Sequence, residues 1–482
     1  MCAPLLRLAP LVLASLAACG GPSNDGRPNV LLISIDSLRR DLAAPYGWQH
    51  PLGAEATPTP SFERLAAEGA LFEDAVSTTS WTLPSHMALL TGQPDALHGV
   101  TDNFKRLHPE HTTLAERLHA AGWATAGFFS GPNLHPAFGF AQGFDLYKNC
   151  AQGKVPLELF TEQELGVFRE VHLESHETIS SPRLLQESSD WIQYVVEETD
   201  QPFFAFVHCW DPHYDYRAPE AYTQRFERAP YRGSFRGVYQ LEKSRQATPA
   251  DRAHMLALYE AEALWTDEHL SRLLDHLDAL GVLDDTIVVV TSDHGEEFWE
   301  HGRWGHQRTL YDEVLRVPLL MRYPSAFPAG TRVPGQARLQ DIAPTLLELA
   351  GLESDARLEG QSLLPLLEAD HPGHAQHLLL SVPAREIDLK GWRLGTQKVL
   401  WDEVQQQGFL YDLASDPLEH APRTFDARAL ANAAEGPLHE LRAALEDLAQ
   451  RARELPPAWE ASELPSELIG DLEAAGYLGD GD

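Results

Sequence analysis

Val30-Leu31-Leu32-Ile33-Ser34-Ile35 runs without a charge into Asp36, and the fold follows from what such a run can be. A short stretch rich in Val, Ile and Leu, with no alternation of polar and apolar residues, reads as a strand covered on both faces, hence a strand of a parallel sheet. Two later stretches have the same form. Phe203-Phe204-Ala205-Phe206-Val207 leads into His208, Asp211 and His213, and Ile287-Val288-Val289-Val290 leads into Asp293 and His294. Ligands of such an open sheet bind beyond the carboxyl ends of its strands, so the polar clusters are expected to converge although up to about 250 residues separate them.

The segments between these runs have helical spacing. Ser61 to Gly69 reads as a helix with Ser61 as N-cap, Thr113 to Ala121 as a second, and Leu184 to Glu198 as a third. Trp123 to Phe129 is expected to be a strand. Leu270, Leu273, Leu274, Leu277 and Leu280 mark one face of a helix that stops at Gly281. The alternation reads as βαβ throughout, an α/β fold whose central, mostly parallel sheet is sandwiched by helices. Residues 214–250, rich in Arg, Tyr and Pro, read as a long loop or lid over the strand ends. Leu339 to Leu349 is expected to be another helix. Residues 28–375 would form this catalytic unit. Short strands around Leu378 to Val382, Gly391 to Gly395 and Lys398 to Trp401 predict a small C-terminal antiparallel sheet over 376–425, followed by a helical tail over 426–482.

Of the 482 residues, 43% are hydrophobic and 22% charged, which fits a globular chain and excludes a disordered or fibrous one. A formal net charge of -34 argues against nucleic acid as a partner. An anionic substrate would meet an opposing field, so local cations, metal ions above all, would have to supply the attraction. Residues 1–19 hold Arg7, the apolar run Leu8 to Ala18 and Cys19, an export signal whose apolar run is too short to span a bilayer. Leu16-Ala17-Ala18-Cys19 resembles the bacterial lipoprotein lipobox. That resemblance implies an exported protein, periplasmic or on the cell surface, held to the membrane through lipidated Cys19 with 20–27 as tether; an ordinary secretory signal is the alternative. Outside the signal stand Cys150 and Cys209, and Cys209, directly after an apolar strand, is expected to be a buried free thiol.

Asp36, Asp293 and His294 together offer two carboxylates and an imidazole, a donor set suited to Zn or Mn and, with more oxygens, to Ca or Mg. Ser80 to Gly92 supplies a hydroxyl. Pro84 in the first turn and Gly92 just past the end mark a short helix whose N-terminus presents Thr82. A Thr hydroxyl is a weak nucleophile and needs a cation and a positive helix end to stabilise its alkoxide; otherwise Thr82 is simply an N-cap. His86, four residues on, shares its helix face and is expected either to bond the nucleophile or bound oxyanion or to be structural.

These motifs resemble the sulfatase family of the alkaline-phosphatase superfamily, from about Pro28 to Pro422. Pro28 to Gly47 is similar to its first metal motif, Thr82 to Gly92 to its nucleophile signature, and Asp284 to Glu296 to its second metal motif. Asp341 to Leu347, Leu358 to Leu364 and Leu410 to Glu419 resemble its later blocks. The departures carry chemistry. Thr82 stands where the usual members have Cys or Ser, and its Cβ methyl prevents conversion to formylglycine. His86 replaces Arg, Ser37 replaces a second Asp, the family's Gly-Lys-x-His pair has no counterpart near Gly127 to Asn133, and His294 replaces Asn as in the phosphonate monoester hydrolase branch.

The resemblance implies an alkaline-phosphatase-like fold and in-line attack by Thr82 on an anionic ester. A sulfated Thr has no exit by C–O cleavage of a hydrate, whereas a phosphorylated Thr is open to water at phosphorus, so phosphate or phosphonate esters are favoured and sulfate esters stay open. Asp36, Asp293 and His294, with Thr82, would hold one divalent ion. His213 and His208 would protonate the leaving group or hold nonbridging oxygens, and His306 would contact substrate. Asp211, His213 and His306 are the ligands for a second ion, if one binds. His301 reads as a surface residue. The alternatives are a sulfuric ester hydrolase proper, a phosphoethanolamine-type transferase and, from another class, a non-catalytic ligand-binding lipoprotein.

Overall fold

The computed structural model describes residues 26–48, 57–151, 180–227, 229–235, 246–353, 357–368, 370–382 and 385–460. The export signal, most of the tether and Leu472 to Asp482 lie outside the described residues. Among these residues the main sheet has nine strands, and its centre consists of the three runs named above. Asn29–Ile35 lies between Thr286–Ser292 and Phe203–Cys209, parallel to both, and Phe203–Cys209 continues to Ala124–Phe129 and Leu146–Asn149. All seven residues of each of the three central strands are buried.

The absence of a polar alternation in the sequence has a plain cause: both faces of this sheet are covered. Val30 and Leu32 pack into one apolar layer, and Leu31, Ile33 and Ile35 into the other. Met87, Leu89 and Leu90 of the helix Thr82–Thr91 belong to the first layer, and Leu270, Leu273, Leu274 and Leu277 of the helix Pro249–Ala279 to the second. Each such Leu or Ile, fully withdrawn from water, contributes about 1.5–3 kcal/mol. The strand ends are thereby held rigidly enough to position polar side chains.

Not every connection is βαβ. Leu319–Arg322 runs antiparallel to both Thr286–Ser292 and Ala70–Val76, because the chain returns to the sheet after only a hairpin and a single turn rather than a crossover helix. Residues 214–250 are not simply a loop: Glu220–Phe226 is a helix whose Phe226 packs on Ala257, Ala261 and Leu264. The leucine face recognised at Leu270 to Leu280 is the C-terminal part of a 31-residue helix, Pro249–Ala279, opened by a capping box between Thr248 and Asp251. Ser61 lies inside the helix Pro60–Glu68 instead of capping it, and its N–H donates to Asp267 at 2.9 Å.

A second sheet, antiparallel and in chain order, consists of Gln376–Val382, Ile387–Leu394, Gln397–Asp402, Gln407–Asp412 and Arg423–Asp426. Helices Ala427–Ala431 and Pro437–Arg451 follow, the latter packing Leu441 against Trp392, Val399 and Trp401. Buried ion pairs tie this sheet to the first: Arg393 reaches Asp74 and Asp312, each at 2.9 Å, and Lys398 reaches Asp312 at 3.0 Å and Glu419 at 2.6 Å. Among the described residues, no helix is long and apolar enough to cross a membrane. Cys150 and Cys209 are both buried free thiols.

Candidate active site

Asp36, Asp293 and His294 come together at the carboxyl ends of adjacent strands, all fully buried, each offering a ligand atom within 4.8 Å of the others. Pairing of Asn29–Ile35 with Thr286–Ser292 sets this: Ile35 lies opposite Ser292, so the next residues, Asp36 and Asp293, emerge side by side. The following turn is locally demanding. Ser37 adopts φ +56°, a left-handed conformation unfavourable for Ser, and so aims its N–H at Asp293 Oδ1, 3.1 Å away. Its hydroxyl donates to Asp36 Oδ1 at 2.7 Å. Asp293 Oδ1 also accepts the His294 N–H at 2.9 Å, while Asp293 Oδ2 has no hydrogen-bond partner.

The imidazole is oriented by the backbone. His294 Nδ1 lies 2.8 Å from the Gly295 carbonyl, to which its ring N–H donates, so Nε2 faces the carboxylates. That Nε2 is 3.3 Å from Asp293 Oδ2 and 3.8 Å from Asp36 Oδ1. Two carboxylates and an imidazole, one oxygen left unsatisfied, fit a divalent cation. Burial pushes the Asp36 carboxyl up to about 6, with His294 opposing that rise.

Thr82 is the first residue of its ten-residue helix and does not cap it; Trp81 occupies the N-cap position and makes no side-chain cap bond. The Thr82 hydroxyl points into the cluster instead, 3.3 Å from Asp36 Oδ2 and 3.3 Å from His294 Nε2. Ser85 of the same first turn donates to the Asp293 carbonyl at 2.7 Å, locking the helix to the strand end. The helix N-terminus therefore aims its positive end at the cluster.

His86 does not reach the Thr82 hydroxyl. Its Nδ1–H donates to the Thr82 carbonyl and its Nε2 meets Ser34 Oγ, both at 2.9 Å, so the ring is a brace between helix and sheet, 3.6 Å from Asp293 Oδ2. His208 lies against it, ring centroids 4.6 Å apart, with its Nε2 3.4 Å from Asp36 Oδ2 and neither ring nitrogen hydrogen-bonded. Burial pulls His86 down to about 3 and His208 to about 4, so both rings are neutral.

His306 stands beside His294, ring centroids 4.5 Å apart, and its Nδ1 is 3.0 Å from Glu296 Oε1. His213 lies 5.0 Å from His306, stacked on Trp210 at 3.8 Å, with its Nδ1 donating to the Tyr214 carbonyl. Burial holds both rings well below the usual imidazole range. The second ligand set does not assemble. Asp211 accepts from the N–H groups of Ser180 and Ser181 and from both hydroxyls, and so anchors the start of the helix Ser181–Glu198 instead of facing His306. His301 is also not a surface residue: its side chain is 12% exposed, stacked on Tyr311 and 2.6 Å from Glu313.

Four supporting residues escaped the sequence reading. Glu296 orients His306, Ser34 holds His86, and Tyr259 donates to the Ser37 carbonyl at 2.6 Å while accepting the Arg39 N–H at 2.9 Å. Arg385, from the C-terminal sheet, donates to Gln307 Oε1 at 2.9 Å, and the Gln307 N–H donates to the Ser80 carbonyl, two residues before Thr82. Only Glu296 carried a signal, as the last residue of the block that holds Asp293 and His294.

Residues 28–352 match the sulfatase family. The chain belongs to that family. Residues 299–444 also match the C-terminal region of N-sulphoglucosamine sulphohydrolase, which spans the second sheet. This sulfatase-family chain is 26% identical to an N-acetylglucosamine-6-O-sulfatase of Bacteroides thetaiotaomicron, with 86% of each chain covered. The phosphonate monoester hydrolase of Agrobacterium radiobacter superimposes with a TM-score of 0.66 at 23% identity, over 89% of this chain and 96% of that one. A protein solved with its substrate D-glucosamine-2-N,6-O-disulfate gives 0.65 at 22%, over 91% and 100%. The last two likenesses establish the fold; with the family match, the chain is an ester-bond hydrolase.

Proposed function

We propose that this chain is a metal-dependent hydrolase of anionic esters, phosphate or phosphonate by preference, with Thr82 as its nucleophile. The observation that carries this reading is the Thr82 hydroxyl, 3.3 Å from both Asp36 Oδ2 and His294 Nε2 at the head of a helix. Asp36, Asp293 and His294 would hold the ion, with Thr82 as a further oxygen donor. When bound, such an ion would lower the pKa of the Thr82 hydroxyl and offset the charge of the ester.

The chain's own groups supply the rest. Asp36 Oδ2 is placed to take the Thr82 proton as the oxygen attacks in line, and the helix N-terminus favours the developing charge. A covalent Thr82 ester follows, released by water from the opposite face. His213, His306 and His208 are neutral when no substrate is bound; an anionic ester favours their charged forms and so readies them to donate to a leaving oxygen. Arg385 adds a fixed cation near Ser80 for a second acidic group on the substrate.

A sulfate ester is the second reading, favoured by the sulfatase activity of the Bacteroides thetaiotaomicron relative. Nitrophenyl sulfate, phosphate monoester, phosphodiester and phosphonate substrates, assayed on chelator-treated protein restored with single divalent ions, separate the two. Turnover dominated by sulfate would overturn the phosphoester preference, and turnover untouched by chelation would overturn the metal. Binding of metal and ligand with no hydrolysis of any ester, in wild type and Thr82→Ala alike, would favour the non-catalytic reading. Export and anchoring through Cys19 belong to the same proposal. Incorporation of labelled fatty acid that persists in Cys19→Ala would defeat the anchor.

A further inference from the structure

Behind the loop that carries Asp293 and His294 lies a second group of ligand-type side chains. Glu297, His301 and Glu313 each offer an atom within 4.8 Å of the others. Glu297 itself lies on a short hairpin, in which it pairs with Gly305 and Phe298 pairs with Trp304. Glu296 and Glu297 are neighbours in sequence yet serve different surroundings: Glu296 bonds His306, whereas Glu297 Oε1 accepts from Thr309 Oγ1 at 2.6 Å.

The group is not satisfied by its own contacts. Glu297 is only 1% exposed, and its Oε2 has no hydrogen-bond partner. His301 Nδ1 is 2.6 Å from Glu313 Oε1, while His301 Nε2 has none. Two carboxylates and an imidazole thus stand together with one oxygen and one ring nitrogen unclaimed, and burial pushes the Glu297 carboxyl up to about 7, a rise that a bound cation would reverse. A cavity of about 500 Å³ reaches His301, lined also by Tyr311, Glu419 and His420.

We propose that Glu297, His301 and Glu313 form a divalent-cation site of Zn or Mn type, distinct from the one at Asp36. Two carboxylates and an imidazole are the donor class those ions prefer. The ion would fasten the hairpin to the turn Asp312–Leu315. That turn already presses on the active-site loop, since the Gly295 N–H donates to the Val314 carbonyl at 2.9 Å and a Cβ on Gly295 would lie 2.1 Å from the Glu313 carbonyl. Occupancy would therefore hold Glu296 and His306 in register with His294.

Metal counting on the full chain after equilibrium dialysis against Zn2+, and separately against Mn2+, tests this. Asp36→Asn combined with Asp293→Asn is expected to keep one equivalent, and Glu297→Gln combined with Glu313→Gln to bind one equivalent fewer than wild type. If the latter fails to fold, adding His301→Asn to the Asp36→Asn, Asp293→Asn protein is expected to abolish the remaining equivalent. No metal retained by the Asp36→Asn, Asp293→Asn protein, or equal metal in wild type and the Glu297→Gln, Glu313→Gln protein, would overturn the proposal. Should wild type bind one equivalent that survives loss of Asp36 and Asp293, this site stands and the active-site reading fails.

Discussion

Thr82 Oγ1 and His294 Nε2, 212 residues apart in sequence, lie 3.3 Å apart in the fold. Neither residue is placed by its own neighbourhood alone. Thr82 is brought there by a helix whose first turn bonds the Asp293 carbonyl through Ser85, and His294 is turned there by the Gly295 carbonyl. Such mutual placement of a hydroxyl and a ring nitrogen fits the proposed attack on an ester, and it gives the hydroxyl itself a testable weight.

Thr82→Ala removes the oxygen proposed to attack while leaving Asp36, Asp293 and His294 intact. Turnover is expected to fall by at least about 10³-fold with the metal content of the protein unchanged. Thr82→Ser, which keeps the oxygen, should recover a large part of that loss. Steady-state kinetics on the best substrate, with metal counting on the same samples, check both. Equal activity in Thr82→Ala and wild type would remove Thr82 from the reaction.

Tyr259→Phe probes the turn that holds Asp36 and Asp293. The lost hydroxyl donates to the Ser37 carbonyl and accepts from the Arg39 N–H, and both would be left buried and unpaired. The expected loss is about 2 kcal/mol or more, read as a shift in the urea midpoint. Because the Ser37 N–H anchors Asp293, kcat/KM should also fall, by between about 10-fold and 100-fold. An unaltered midpoint would show that the turn stands without Tyr259.

His86→Ala separates a brace from a substrate group. The ring joins Ser34 to the Thr82 carbonyl across a fully buried gap, so its removal is expected to destabilise the chain by roughly 2–4 kcal/mol. A histidine acting only on substrate would lower turnover and leave the unfolding midpoint in place. Denaturant unfolding of the variant distinguishes the two outcomes.

The strand cores and the convergence of Asp36, Asp293 and His294 were legible because unbroken apolar runs admit few environments and their carboxyl ends must share one edge of the sheet. The orientation of single side chains was not. Asp211 follows a strand just as Asp36 does, yet Ser180 and Ser181 claim its oxygens, and nothing in its own segment announces those partners. His301 looked exposed because its run is polar, but Tyr311 and Glu313 cover it after the chain has turned back. The helix Glu220–Phe226 was hidden by weak periodicity, since its apolar partners lie on Pro249–Ala279 and not in its own pattern.

Asp312 joins the two sheets, and its environment predicts where acid will unfold the chain. Burial alone would raise its carboxyl, but Arg393 and Lys398 overcome that and hold it well below the usual carboxylate range. Asp74, beside Arg393 and Arg316, is lowered for the same reason. The folded pKa therefore lies below the unfolded value of about 3.9, so the stabilisation is complete above that value and is lost as pH falls through the folded one. Asp312→Asn leaves Lys398 and Arg393 short of a buried counter-charge, and is expected to cost about 3–5 kcal/mol at neutral pH. The same change should flatten the decline in stability between about pH 4 and pH 2, because a group that no longer titrates cannot contribute to it. Urea midpoints of wild type and variant at neutral pH and across that acid range measure both effects. A variant that is destabilised at neutral pH but follows the wild-type acid slope would assign the acid limb to other carboxylates.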